Sequence, residues 1–323
     1  MKVKHLLFNM LIVALLFFLV GCGNEETDSK QVENTDHLKE ALATRTFIDV
    51  TGREIEIPVE PKRIVTTQYL DALLALGVKP VGVPSHVLDN KYLGTLQENV
   101  ADLGHPFSLE KIIELEPDLI IAANQEEVEQ LSKVAPTVVV PWMHGDVFTQ
   151  LFEIARVIDK EKEAKEWIAT QDAKASEGRE KIRGKIGEDE VVSIFMVWGK
   201  DTLRIYGGRN IGHMFYRALQ LTPPPFIQER LNNDPDFKEF VFENISMEML
   251  PEFAGDRIIM LVYGQEARDE GGMLYQLEHS SLWKNLDAVK NNKVYYVEED
   301  PWFIYSPIAI DKSLDEAIKL FAQ

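Results

Sequence analysis

The sequence predicts an α/β protein of two lobes, each with a mostly parallel sheet, joined by one long helix. Three features predict it. Strand-like and helix-like runs alternate from Thr46 to Pro141. From about Val147 to Lys185 no strong β run occurs, and apolar residues recur at helical spacing. A second alternating set then follows from Val191 to Phe321. The chain has 323 residues, a length that suits two domains of about 150 each.

The N-terminus precedes all of this. Lys2 and Lys4 lead into a run from Leu6 to Val20 that is apolar except for Asn9, and Leu19-Val20-Gly21-Cys22 follows. This is the three-part layout of a secretory signal. The run is shorter than the roughly 20 apolar residues a membrane-spanning helix needs. Gly21 before the only cysteine resembles the lipobox of bacterial lipoproteins, which implies cleavage after residue 21 and lipid on Cys22. One acyl chain anchors only marginally, so the several chains of such a cysteine would hold the protein at the membrane. Residues 22–45 are polar and acidic, as in Asn24-Glu25-Glu26-Thr27-Asp28, and read as a flexible tether.

The first lobe is expected over 46–146. Phe47 to Val50 and Glu54 to Pro58 flank Thr51-Gly52 as a hairpin. Arg63 to Thr66 is a strand, and Asp71 to Leu76 is a helix stopped by Gly77. Val78 to Val83 is a further β-type run. Ser108 caps a helix carrying Leu109, Ile112, Ile113 and Leu115, which ends before Pro117; Asp118 to Ala122 is a buried strand. Thr137 to Pro141 repeats the strand signal.

The helical region spans 147–187, between Gly145 and the pair Gly184 and Gly187. Leu151, Ile154, Ile158, Ala164, Trp167, Ile168, Ala175 and Ile182 fit one face, with a break near Asp159-Lys160. The longer piece, Glu161 to Arg183, would span roughly 34 Å, enough to bridge two lobes. The second lobe is expected over 188–323: strands at Val191 to Val197, Leu203 to Tyr206, Ile258 to Val262 and Lys293 to Val297, with helices at Ile211 to Leu219, Leu282 to Val289 and Ser313 to Phe321.

Composition excludes several functions. A single cysteine leaves no disulfide, Cys-rich zinc site or iron–sulfur cluster. The net charge is −19 and falls to −21 once Lys2 and Lys4 are removed, so phosphate backbones and anionic headgroups would repel the surface. No nucleic-acid partner is expected. His37, His86, His105, His144, His213 and His279 are scattered, which argues against a receptor for free zinc or manganese.

Three stretches carry a family resemblance. They are Pro61-Lys62-Arg63-Ile64-Val65 leading to Leu76-Gly77-Val78-Lys79-Pro80-Val81-Gly82; Ser108-Leu109-Glu110-Lys111-Ile112 through Glu116-Pro117-Asp118-Leu119-Ile120-Ile121; and Ile245-Ser246-Met247-Glu248. The chain resembles the substrate-binding lipoproteins of ABC importers for ferric siderophores, haem and cobalamin. That resemblance implies the class III periplasmic-binding-protein-like fold, with a rigid interlobe helix, ligand in the cleft and modest hinge motion. It also implies an ABC permease as partner, and an acidic residue on each lobe that engages permease arginines, here Glu110 and Glu248. Both follow a Ser at a helix start, where a carboxylate also suits the helix dipole. No intrinsic cofactor is expected; the iron arrives in the ligand, and the receptor is expected to act as a monomer.

A rigid, oxygen-rich chelate calls for flat aromatic surface and guanidinium donors. Trp198 follows the run Val191 to Val197, and Arg204 and Tyr206 alternate along the next strand, facing one way. In an open α/β sheet ligands bind at the carboxyl ends of strands. The resembling family places an aromatic and then an arginine against the siderophore at this point. Arg209 follows close by. In the first lobe Tyr69, Asn124, Gln125 and Trp142 sit past strand ends, and Trp302, Phe303 and Tyr305 follow the last strand. The expected ligand-binding set is Tyr69, Trp142, Trp198, Arg204, Tyr206, Arg209 and Trp302. A cleft richer in Trp and Tyr than in basic residues favours a hydroxamate over highly anionic chelates. Haem would want an axial His, Tyr or Met, and candidates exist, so a haem or cobalamin receptor stays open. The remaining alternative is a membrane-anchored enzyme. No Gly-x-Ser-x-Gly, His-Glu-x-x-His or phosphate loop is present, and Gly207-Gly208-Arg209-Asn210-Ile211-Gly212 lacks dinucleotide-loop spacing. A lipobox before a long acidic tether suits the outer face of a Gram-positive membrane.

Overall fold

Residues 43–322 are described in a computed structural model. The signal segment, Cys22 and the tether up to residue 42 lie outside the described residues. The chain enters with β1 (Thr44–Ile48) and β2 (Glu54–Pro58), an antiparallel hairpin that begins two residues before the expected start of the first lobe. Gly52 turns it at φ +84°. The Asp49 carboxylate accepts the Thr51 and Arg53 N–H groups and pairs with the Arg53 guanidinium at 2.6 Å.

The first sheet contains β3 (Ile64–Thr66), β4 (Gly82–Val83), β5 (Ala101–Asp102), β6 (Leu119–Ala122) and β7 (Thr137–Val139), all parallel, in the order β5-β4-β3-β6-β7. Its strands read as unbroken apolar runs because both faces are covered. Ile64, Leu119, Ile121 and Val138 pack to one side, where α1 (Leu70–Ala75) supplies Leu73. Val65, Ile120, Ala122 and Val139 pack to the other, against Ile112 of α2 (Leu109–Glu114). Ser108 Oγ caps α2 by accepting the Lys111 N–H.

Asp146 caps α3 (Val147–Val157) through the Thr149 N–H. After Asp159, at φ +57°, α4 (Glu161–Ile182) runs for 22 residues, about 33 Å. It belongs to both lobes: Ala164 is part of the first lobe's core, and Ala175 and Ile182 are part of the second's.

The second sheet has the order β10-β9-β8-β11-β12. β8 (Val192–Trp198), β11 (Arg257–Tyr263) and β12 (Val294–Glu298) are parallel; β9 (Thr202–Tyr206) is antiparallel to β8, and β10 (Phe242–Asn244) is antiparallel to β9. Three expected elements differ. Ile211 to Leu219 starts as expected but widens into a π-helix over His213–Ala218. Leu282 to Val289 is two short helices, Ser281–Asn285 and Asp287–Lys290, separated by extended Leu286. The last helix, α5 (Pro307–Ala322), starts six residues before the expected Ser313.

That longer α5 matters because it touches both lobes. Its Ala309 joins a buried cluster of first-lobe residues with Leu70, Val83 and Tyr92. Lys174 of α4 lies between Asp311 and Asp315 of α5 at 2.7 and 2.8 Å. A Cβ on Gly178 of α4 would meet Ile318 at 2.6 Å, so the glycine permits this close approach.

Candidate ligand-binding cleft

In each sheet the chain runs outward on one side of the first strand and then on the other, leaving a crevice at the carboxyl ends where the order reverses. In the first lobe that point lies between β3 and β6. Thr67 Oγ1 accepts the Ala123 N–H at 2.9 Å and donates to Glu127 at 2.8 Å, and Asn124 donates to the same carboxylate at 3.0 Å. In the second lobe it lies between β8 and β11, whose last residues are Trp198 and Tyr263. Their rings are 5.1 Å apart, and Tyr263 in turn lies 4.8 Å from Phe303.

Trp198, at the carboxyl end of β8, is 41% exposed. The Arg204 guanidinium lies 5.1 Å from the Trp198 ring centre and 4.1 Å from that of Phe242. Its Nε donates to Asn244 Oδ1 at 3.0 Å, which fixes the fork in place. Trp142, past β7, is 56% exposed. The outward-reaching residues of the predicted set are thus Trp142, Trp198 and Arg204.

The other four are engaged inside the protein. Tyr206 shares the face of Arg204 but is buried, because β9 runs back from the cleft: Thr202 is opposite Trp198, Arg204 opposite Met196, and Tyr206 is one pleat deeper. Burial raises its phenol pKa to about 12 against the pull of Arg204. Tyr69 is buried, and its hydroxyl donates to the Val140 carbonyl. Arg209 is buried; its Nη1 donates to the carbonyls of Gly145, at 2.7 Å, and Lys238, and its guanidinium lies 4.8 Å from the Tyr305 ring centre. Trp302 stacks on Phe215 at 5.7 Å and 3° within the second core, since the chain turns into a short helix after β12. Direct ligand contact is expected of all four; in this structure Tyr69 lines the crevice between the lobes with little exposure, Tyr206 and Arg209 are buried, and Trp302 packs in the second core.

A narrow crevice of about 40 Å³ joins the lobes, lined by Gln68, Tyr69, Trp142, Gln150, Tyr305 and Pro307 among others. Beneath it, His213 Nδ1 lies 3.1 Å from the Tyr305 hydroxyl. Burial, and then Arg217, hold the His213 pKa near 3, so the ring is neutral. Arg217 pairs with Asp146 across the lobes. Burial alone would raise the Asp146 carboxyl, but Thr149 and Arg217 hold it below the usual range.

Sequence reasoning passed over Tyr263, Phe242, Asn244 and Gln68. Tyr263 carried a usable signal, since it ends an apolar run as Trp198 does. Phe242 and Asn244 carried none, because their place depends on β10 pairing with β9.

Glu110 and Glu248 are both exposed. Ser108 Oγ donates to Glu110 at 2.7 Å, which lowers its pKa, and a bond from Ser246 does the same for Glu248. Ser246 makes no side-chain cap, so only the first of the two expected caps forms.

The family model for "Periplasmic binding protein" matches residues 64–301, which spans both sheets and the helix between them. The chain belongs to the periplasmic binding protein family. As such a protein it is a transport receptor rather than an enzyme. It is 35% identical over 322 residues to the iron(3+)-hydroxamate-binding protein YxeB of Bacillus subtilis (strain 168), covering 98% of this chain and 95% of that one. Its fold resembles that of a FhuD fold-family component of a ferrichrome ABC transporter from Bacillus subtilis, with a TM-score of 0.74 and 31% identity over 86% of this chain and 100% of the other. It also resembles FhuD2 from Staphylococcus aureus with bound ferrioxamine B, with a TM-score of 0.66 and 26% identity over 81% of this chain and all of that one.

Proposed function

We propose that this protein is the extracellular receptor of an ABC importer, that it captures a ferric siderophore of the hydroxamate type, and that it delivers the complex to a membrane permease. The observation that carries the reading is the arrangement at the second lobe's switch point: Trp198, Tyr263 and Phe303 in ring contact, with Arg204 held between Trp198 and Phe242. Flat rings and one oriented fork suit a compact chelate with outward oxygens. Trp142 is an exposed ring past a strand end of the first lobe and lines the crevice between the lobes. Tyr69, Tyr206 and Arg209 support the floor. The relatives that bind iron(3+)-hydroxamate complexes and ferrioxamine B support this ligand class.

The same reading assigns a signal peptide to 1–21, a lipidated Cys22 and tether to 22–45, lobes to 46–146 and 188–323, and the linking helices to 147–187. The receptor is a lipid-anchored monomer on the outer face of the cell membrane, and Glu110 and Glu248 meet the permease. Titration of the full chain in detergent with ferric hydroxamate, catecholate and citrate complexes and with haemin, read by tryptophan quenching, tests it. Saturable submicromolar quenching by the hydroxamates is expected. Quenching by haemin alone, with a Soret band, would replace the ligand.

A further inference from the structure

The first lobe's wall of the cleft is built from segments 67–69, 84–86, 103–105, 123–127 and 140–144, which follow the carboxyl ends of β3 to β7. No lysine or arginine stands in any of them. Their carboxylates are Glu126 and Glu127, and their only groups able to gain positive charge are His86, His105 and His144. Two of these imidazoles are together: His86 and His105 meet edge to face with centres 4.7 Å apart. His86 Nε2 lies 3.1 Å from Gln68 Oε1, and Gln68 lines the crevice with Trp142 and Tyr305. The pair is therefore linked to the cleft floor through one side chain.

We propose that His86 and His105 set the charge of this wall, so that the cleft favours neutral or cationic ferric chelates while the pair is unprotonated and turns toward carboxylate-bearing chelates once it takes up a proton. This rests on the siderophore reading and adds a rule of selection to it. Unprotonated, these segments carry Glu126 and Glu127 without a lysine or arginine; at their edge the Asp102 carboxylate accepts the Ser85 hydroxyl and the Gly104 N–H, and Lys111 donates to the Asp102 carbonyl. The excess of carboxylates draws a chelate with a pendant ammonium. Protonation places a positive charge beside Gln68. The charged groups facing His86 are His105 from the loop after β5, Asp89 from its own short helix and Glu127 from the loop after β6. Loss of hydration and the neighbouring His105 lower its pKa, against the opposing pull of Asp89 and Glu127. One unit charge at about 8 Å from a ligand charge, at an effective dielectric near 40, alters affinity roughly five-fold.

The test uses three ferric trihydroxamates that differ only in a pendant group: ammonium, acetamide or carboxylate. Affinities of the full chain in detergent are measured at about pH 7.5 and about pH 5.5, a span in which histidine titrates and neither the ammonium nor the carboxylate does to a large degree. The ratio of carboxylate to ammonium affinity is expected to rise at least five-fold in acid for the unaltered protein and to stay within about two-fold for the double variant His86→Gln, His105→Gln. A ratio that does not move with pH in the unaltered protein, or that moves equally in the variant, overturns the proposal. Tight binding with a constant ratio sinks this rule alone, whereas no binding by any of the three chelates at either pH sinks the siderophore reading with it.

Discussion

Asp71, on α1 of the first lobe, accepts the Ile308 N–H at 2.7 Å in the first turn of α5, the helix that ends the chain. Its other oxygen accepts the Tyr92 hydroxyl at 2.8 Å. A buried carboxylate thus serves as an external cap for a helix that packs on both lobes. Replacing it takes the acceptor from the Ile308 N–H, while the Tyr92 hydroxyl keeps Ser306 at 3.1 Å. Asp71→Ala is expected to lower stability by about 2–4 kcal/mol, and Asp71→Asn by less, because the amide oxygen still accepts one bond. Urea midpoints at unchanged m-value measure both; equal stability of Asp71→Ala and the parent would contradict the role.

At the cleft, the exposed ring of Trp198 and the held guanidinium of Arg204 should carry affinity. Trp198→Ala and Arg204→Ala are each expected to weaken a ferric hydroxamate about ten-fold or more, with Arg204→Lys intermediate because a point charge replaces the fork. Trp302→Phe, in the core, should leave affinity within about two-fold while lowering stability by about 1 kcal/mol. Calorimetry avoids the change in intrinsic fluorescence. An Arg204→Ala protein that binds as tightly as the parent would remove the residue from the site.

Stability should fall in acid partly through Glu190. Burial raises its carboxyl, but Lys293, Arg257 at 2.7 Å and the Gly187 N–H outweigh that and hold its pKa near 2. The folded pKa lies below the ordinary value of 4.5, so the stabilisation is fully present above pH 4.5 and is lost as pH falls toward 2. Glu190→Gln is expected to be less stable by about 1–2 kcal/mol at neutral pH, after allowance for solvent around the pair, with the difference narrowing in acid. Urea midpoints above and below pH 4.5 read the two limits. A difference that persists unchanged in acid would exclude this linkage.

The hydrogen bonds to Glu110 and Glu248 come from Ser108 and Ser246 rather than from the aromatic and arginine group at the cleft, so their removal should spare binding. The double variant Glu110→Ala, Glu248→Ala is expected to keep ferric hydroxamate affinity within about two-fold and to lose iron uptake by cells, since charge pairs that steer association govern docking more than folding. Uptake at the parent rate would end the docking assignment.

Much of this architecture was readable in advance, and the exceptions share a cause. The α4 helix was visible because its apolar residues keep one period over many turns; Ala164 and Ile182 then serve different cores without breaking it. Gly77 and Ser108 marked helix ends through local backbone chemistry. Tyr206 was on the predicted face of β9, yet its depth depended on a register between β8 and β9 that periodicity does not contain. Trp302 follows a strand end in sequence, but its stacking on Phe215 is a tertiary choice. Arg209 resembles a free donor until the Gly145 carbonyl, 64 residues away, is found to occupy it.

The α5 brace also constrains how the molecule is made. Asp71 and Ile308 are 237 residues apart, so α1 is synthesised long before the helix it caps. A chain delivered from its N-terminus must leave Leu70, Val83 and Tyr92 without Ala309 until almost the last residue has emerged. The first lobe is therefore made before α5 and finished only with it, and a stop codon that removed only α5 would unseat Asp71, 237 residues before Ile308.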